Sequence, residues 1–218
     1  QEVMAHPRMS AIKDSVSETN ALQLGRMPAS DAAFMQSKLG MGGDCTKLLW
    51  TLRETKSDWE IERMRESGEI QRWMFEAIDE MGCEGVTELD LAAAADEVSR
   101  AAGFGGFVRM RKWPMDCDRV VVASGRTGSV PTFFDSAVGG TGTNPLAALG
   151  AGFNRIKIGE PVLVDIVHVH RGYITDMTRM FSVGPLAEEW MQRLDDMEEI
   201  ADALRDSLGS CLLYTSDA

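Results

Sequence analysis

The sequence predicts an α+β fold, with helices on one face of a curved, mostly antiparallel sheet. Three observations carry that prediction. Apolar residues recur at helical spacing in the segments that follow Ser57 and Thr87. Phe107–Trp113 and Arg119–Ala123 are enriched in β-branched and aromatic residues, as strands are. The run PVLVDIVHVHRGYITDMTRMFSVG, Pro161 to Gly184, reads as two apolar-rich strands joined by a tight turn at His170, Arg171 and Gly172.

Taken in order, the chain opens with a polar stretch to about residue 20 that holds a short helical pattern, Arg8–Thr19. Ala21–Leu24 reads as a short strand. Pro28, Ser30 and Asp31 open a helix that runs through Leu39 and stops at Gly40–Gly43. Ser57 and Glu60 form a capping box, which satisfies free backbone donors at a helix start. That helix runs to about Met81, ends at Gly82, and has an apolar face of Ile61, Met64, Ile70, Met74 and Ile78. A second helix runs from Thr87, with Asp90 as box partner, to about Ala102; Leu89, Ala92, Ala93 and Val98 suit packing on a sheet. The acidic residues of both helices are read as solvated.

Ser124–Gly152 is long, irregular and rich in glycine, the kind of loop that is usually functional or disordered. Gly139–Gly142 does not read as a phosphate cradle, because no strand leads into it and Pro145 follows in place of a helix start. Pro185 opens an acidic amphipathic helix to about Leu208, with Glu188, Glu189, Glu198 and Glu199 read as solvated.

Composition narrows the function classes. The chain has 218 residues, 44% hydrophobic and 26% charged, as in a globular protein of one domain or one and a half. A formal net charge of −12 argues against nucleic acid and anionic membrane as partners. No apolar run approaches the roughly 20 residues of a membrane span, and no secretory signal opens the chain. The cysteines at 45, 83, 117 and 211 form no CxxC pair, which suits a reducing, cytoplasmic setting and indicates neither a zinc site nor a disulfide framework. Both ends read as artificial: Gln1 stands first, and Cys211–Ala218 breaks the helical pattern before it and reads as a non-native tail on a fragment.

The chemistry concentrates in the hairpin. A turn centred on His170 and Arg171 places Asp165 opposite Asp176, on one face and among apolar neighbours. Like charges so placed repel, more so when buried. Either one carboxyl holds a proton, or a hard divalent cation lies between them; the plainer reading is that one aspartate caps a turn at a sheet edge. His168 and His170 fall on the opposite face, where they read as exposed residues near a turn, or less readily as a metal pair of their own.

The run VDIVHVHRGYITDMTRMFSVG resembles the metal-binding hairpin of the M24 metallopeptidases: aminopeptidase P (Xaa-Pro aminopeptidase), prolidase, methionine aminopeptidase and the metal-free creatinase. The matching pieces are Asp165, Gly172, Tyr173, Asp176, Thr178 and Arg179, and the resemblance extends upstream to about Ala21. It implies the first half of a pita-bread catalytic domain, residues 48–210, preceded by the tail of a creatinase-type N-terminal domain and linker, residues 1–47. It implies that Asp165 and Asp176 ligate a centre of two divalent ions, manganese or cobalt with zinc as an alternative, that activates water for hydrolysis of the peptide bond before a proline. The substrate would be a peptide with proline at its second position, and the parent protein a homodimer. Arg179 would pair with a metal-bound carboxylate, and Tyr173 would support the site.

Two departures stand beside the resemblance. The family's further ligands, one histidine and two glutamates, lie downstream, and no histidine follows Asp176 here. The chain itself is therefore expected to be inactive. Aminopeptidase P relatives also carry a histidine a few residues after Ala-Ser-Gly, beside a proline; here Thr132 stands there and cannot act as a base near neutral pH. The alternatives are a non-catalytic M24 homologue acting as a binding protein, or a creatinase-like metal-free hydrolase.

Overall fold

A computed structural model describes residues 21–40, 42–106, 108, 119–131, 139–146 and 148–207. The stretches 1–20, 109–118, 132–138 and 208–218 lie outside the described residues, and with them the expected helix at Arg8–Thr19, most of the strand at Phe107–Trp113, Thr132 and the tail. The chain divides into two compact units, Gln1–Glu62 with Arg109–Asp116, and Arg63–Val108 with Cys117–Ala218.

In the first unit, the strand expected at Ala21–Leu24 is reduced to one parallel bridge, Leu22 to Asp44, followed by a 3-10 turn at Leu24–Arg26. Helix α1 (Ala29–Leu39) ends as expected on Gly40 at φ 64°. Helix α2 (Thr46–Glu54) was not foreseen. Its start is organised by Asp44, whose Oδ1 accepts from Leu24 N (3.1 Å), Thr46 N (2.9 Å) and Thr46 Oγ1 (2.5 Å). The Thr46 hydroxyl and amide lead in holding the Asp44 carboxyl below the usual carboxylate range.

Helix α3 (Asp58–Met81) starts at the expected box, with Ser57 N donating to Glu60 Oε2 at 2.7 Å and Glu60 N to Ser57 Oγ at 3.4 Å. Helix α4 (Glu88–Ala101) has the reciprocal box of Thr87 and Asp90. Three strands follow, β1 (Val120–Ser124), β2 (Pro161–His170) and β3 (Tyr173–Ser182), antiparallel in the order β1-β2-β3. Because side chains alternate along a strand, Val162, Val164 and Ile166 of β2 share a face with Val120 and Val122 of β1. The core forms there, against Ile70, Met74, Phe75 and Ile78 of α3 and Leu91 and Ala95 of α4. Val164 and Ile166 are fully buried, each worth about 1.5–3 kcal/mol. Ile61, expected on the apolar face of α3, is exposed.

The irregular stretch after β1 is tied down among its described residues by a 3-10 turn at Thr127–Ser129 and a parallel bridge from Gly140 to Gly150. Helix α5 (Glu188–Ser207) closes the described chain and buries no residue. Among the described residues, no helix is long and apolar enough to cross a membrane.

Candidate metal centre

The hairpin turn decides where the two aspartates stand. Arg171 and Gly172 both have positive φ, 50° and 87°, the signature of a two-residue type I′ turn. Glycine takes that conformation without a Cβ penalty, so Gly172 sits in the turn and not in the strand. The turn therefore centres one residue later than expected, and every pairing moves by two. Asp165 stands opposite Thr178, Asp176 opposite Val167, and His170 opposite Tyr173. Direct opposition of Asp165 and Asp176 is thus corrected to a diagonal relation. An even shift keeps every side chain on its face, so both carboxyls still project from the sheet face that turns away from α3 and α4.

On that face Asp165 lies between Val121 of β1 and Thr178 of β3, with Leu163 and Val167 along its own strand. The Thr178 hydroxyl donates to Asp165 Oδ1 at 2.6 Å. Asp176 is exposed as a residue. Even so, partial burial of its carboxyl comes first, then the negative charge of Asp165 and a hydrogen bond shared with it, in raising Asp176 above the usual carboxylate range. Neither aspartate has a lysine or arginine partner among the described residues. Two carboxylates facing each other with no countercharge suit a hard divalent cation. No group of three or more His, Cys, Asp or Glu that could hold a metal occurs among the described residues, so the pair is what those residues offer.

Arg179 is not beside these carboxylates. It stands opposite Val164, on the core face. Its Nη1 donates to Thr178 O at 2.7 Å, and its guanidinium lies 5.9 Å from the Phe75 ring centre. With Phe75, Phe181, Met177, Arg72 and Glu76 it lines an open cavity of about 580 Å³ between α3 and β3. Strand alternation explains this: a residue next to an outward threonine points inward. Tyr173 is half-buried at the start of β3.

The histidines are also corrected: neither is an exposed turn residue. His168 is fully buried, and its Nδ1 lies 3.1 Å from Ser99 Oγ. Ser99 Oγ in turn accepts from Arg119 Nη1 at 2.9 Å, and Arg119 pairs with Asp96 and lies over the Phe104 ring. Burial first, then the charges of His170 and Arg119, lower His168 to about 4. His170 Nε2 lies 3.0 Å from Glu66 Oε2. The two rings serve the helix layer, and among the described residues they belong to no group of three or more His, Cys, Asp or Glu that could hold a metal.

Glu88 is a second correction to the expectation that the helical acids are solvated. It is fully buried at the start of α4. Its carboxylate accepts from Ser124 N (2.8 Å), Ser124 Oγ (3.0 Å), Gly152 N (3.1 Å), Asn154 Nδ2 (3.1 Å) and the Thr127 hydroxyl. It joins the end of β1 to the irregular loop on both sides. Its position directly after a Thr cap and before Leu89 looks like an ordinary first-turn acid; the partners come from residues 36 to 66 positions away, beyond any local pattern.

Comparison with known proteins gives the family and the fold. The model of Peptidase_M24, metallopeptidase family M24, matches residues 62–212, and the chain belongs to that family. Among solved structures, the chain is similar to an X-Pro aminopeptidase from Thermotoga maritima MSB8, at TM-score 0.62 and 20% identity, covering 86% of this chain and 48% of that one. It is similar to the prolidase from Pyrococcus horikoshii OT3, at TM-score 0.63 and 19% identity with the same coverage of 86% and 48%. A Xaa-Pro dipeptidase from Bacillus anthracis matches at TM-score 0.62 and 20% identity, covering 86% and 47%. The chain thus spans about half the length of these structures, and its helices and antiparallel sheet are those of half the pita-bread fold. No curated protein sequence matches the chain.

Proposed function

We propose that this chain carries the metal-binding hairpin of a longer, dinuclear-metal peptidase that cleaves next to proline, as an Xaa-Pro aminopeptidase or dipeptidase. The observation that carries the reading is the pair Asp165 and Asp176, on one sheet face, close enough that Asp165 raises Asp176, and without a cationic partner among the described residues. Their oxygens would hold the divalent ions, manganese or cobalt with zinc as the alternative. Ions bound there would supply activated water and polarise the scissile carbonyl.

The chain's own residues do the rest of the work assigned here. Asp165 and Asp176 bring negative charge to one point. The apolar residues beside Asp165, Val121, Leu163 and Val167, lower the dielectric on its side and strengthen attraction for a cation. Tyr173 and Thr132 are proposed as supporting residues, and Arg179 as a support of the scaffold face behind the hairpin. Residues 48–210 would be the first half of the catalytic domain and 1–47 the end of a preceding one, in a cytoplasmic homodimer acting on peptides with proline second.

The 218-residue chain by itself should show no Xaa-Pro cleavage, since two carboxylates bind divalent ions weakly and the remaining ligands and base are not among them. The test is metal analysis and peptidase assay of the longer protein. Two ions per chain with cleavage of Xaa-Pro peptides support the reading. A metal-free protein that still hydrolyses its substrate points to creatinase-like chemistry, and one with neither metal nor activity to a binding protein.

A further inference from the structure

We infer that Thr178 is a positioning residue for the metal centre, acting through Asp165. The inference rests on the metal reading above. Of the strand residues flanking Asp165 across the sheet on its own face, Val121 and Ala123 on β1 and Asp176, Thr178 and Met180 on β3, only Thr178 brings a hydroxyl. That hydroxyl donates to Asp165 Oδ1 at 2.6 Å, within the range of short, charge-assisted O–H···O⁻ bonds.

The effect follows from how carboxylates move. The terminal torsion of aspartate is broad and nearly two-fold, so an isolated carboxylate samples many planes. A donor fixed by the β-sheet ladder holds Oδ1 and so sets the plane of the group. A cation would take the remaining lone pairs, displacing the proton of the bond that Asp165 shares with Asp176. Threonine suits this role: its branched Cβ favours the strand and restricts χ1, so the hydroxyl itself is held. The same bond draws charge away from the Asp176 side of the carboxylate, which eases the repulsion the site must bear before an ion arrives. Residues that orient metal-ligating carboxylates in this way commonly change metal affinity by about 10–100-fold.

The test is titration of the full 218-residue chain with Mn2+ alone, read by calorimetry or by the loss of the free-ion resonance signal. Thr178→Val keeps shape and strand preference and removes the donor; Thr178→Ala removes it with less bulk; Thr178→Ser keeps it. Thr178 is exposed, so the metal-free melting temperature of each variant should stay within about 2 °C of the parent. The expected result is that the Val and Ala variants bind Mn2+ about 10-fold more weakly or worse, and the Ser variant within roughly two-fold of the parent. Equal affinity in the parent and both donorless variants overturns the positioning role and leaves the metal site standing. Parent binding that survives Asp165→Asn and Asp176→Asn, or no Mn2+ binding by the parent even at millimolar ion, where a weak two-carboxylate site should still fill, overturns the site reading and the role of Thr178 with it. A Ser variant as weak as Val would also count against the hydroxyl.

Discussion

Asp176 carries a cost that the fold does not relieve. Its carboxyl is raised above the ordinary value by partial burial and by Asp165. A carboxyl raised on folding lends stability that is full below its unfolded pKa of about 3.9 and is lost as pH rises through its folded value. At neutral pH the ionised pair therefore works against folding. Asp176→Asn should raise the urea midpoint of the metal-free chain at pH 7, and the gain should shrink as pH is lowered toward 4. A variant less stable than the parent at pH 7 would contradict this. His168 works in the other direction. It is fully buried and lowered to about 4, with Arg119 and His170 as its charged neighbours. A histidine lowered on folding keeps its stability above the unfolded pKa of about 6.5 and loses it as pH falls toward 4, on the order of 3 kcal/mol in all. Unfolding at pH 7 and pH 5 should show this loss, and His168→Gln should reduce it. Both aspartates could be read from the sequence because each interrupts an apolar run. His168 and Glu88 could not, because their partners are brought in by packing and not by neighbours in the chain.

The hairpin shows how an element can be legible while its register is not. Alternation of apolar residues in β2 and β3, and the glycine between them, mark a hairpin from sequence. The centre of the turn depends on which two residues accept positive φ, and Arg171 at φ 50° takes a conformation that side chains usually avoid. Asn-Gly is the preferred pair for this turn, so Arg171→Asn should stabilise the chain by a few tenths of a kcal/mol, and Gly172→Ala should cost about 1 kcal/mol. Chemical denaturation of the two variants checks the order, and the reverse order would mean a different turn. Helices α3 and α4 were legible to within a residue at their starts, because capping boxes are local signals. Helix α2 was not, since its start is built by Asp44 and the distant Leu24. Glu88 holds β1, the turn at Thr127 and the loop at Gly152 to the start of α4. All its partners donate, so Glu88→Gln sets an amide N–H against a donor and leaves buried groups unpaired. The expected loss is about 2–4 kcal/mol by urea unfolding; a loss below about 0.5 kcal/mol would show that a neutral side chain serves as well.

At the scale of the whole molecule, the proposed metal site would link stability to metal. The fold places two carboxylates diagonally across adjacent strands on the outer sheet face, while the other face of the same sheet packs the core. The resemblance that identified the hairpin could also indicate the fold, since strand order and the helix layer follow from α3, α4 and the three strands. It could not give the placement of Arg179, which alternation turns toward Phe75. A cation that binds the folded chain and not the unfolded one stabilises it by mass action. At Mn2+ about 100 times its dissociation constant the gain is about 2.7 kcal/mol, or roughly 5–10 °C in melting temperature for a chain of this length. Protons compete with the ion at Asp176, whose carboxyl is already raised, so the shift should fade as pH drops. Asp165→Asn and Asp176→Asn should each abolish most of it. Asp176→Asn then becomes more stable than the parent without metal and less responsive with it, the reversal expected of a site whose charge is kept for binding at the expense of stability. Thermal melts of the three proteins with and without Mn2+, at pH 7 and pH 5, measure this. An equal shift in all three would place the ion elsewhere on the chain.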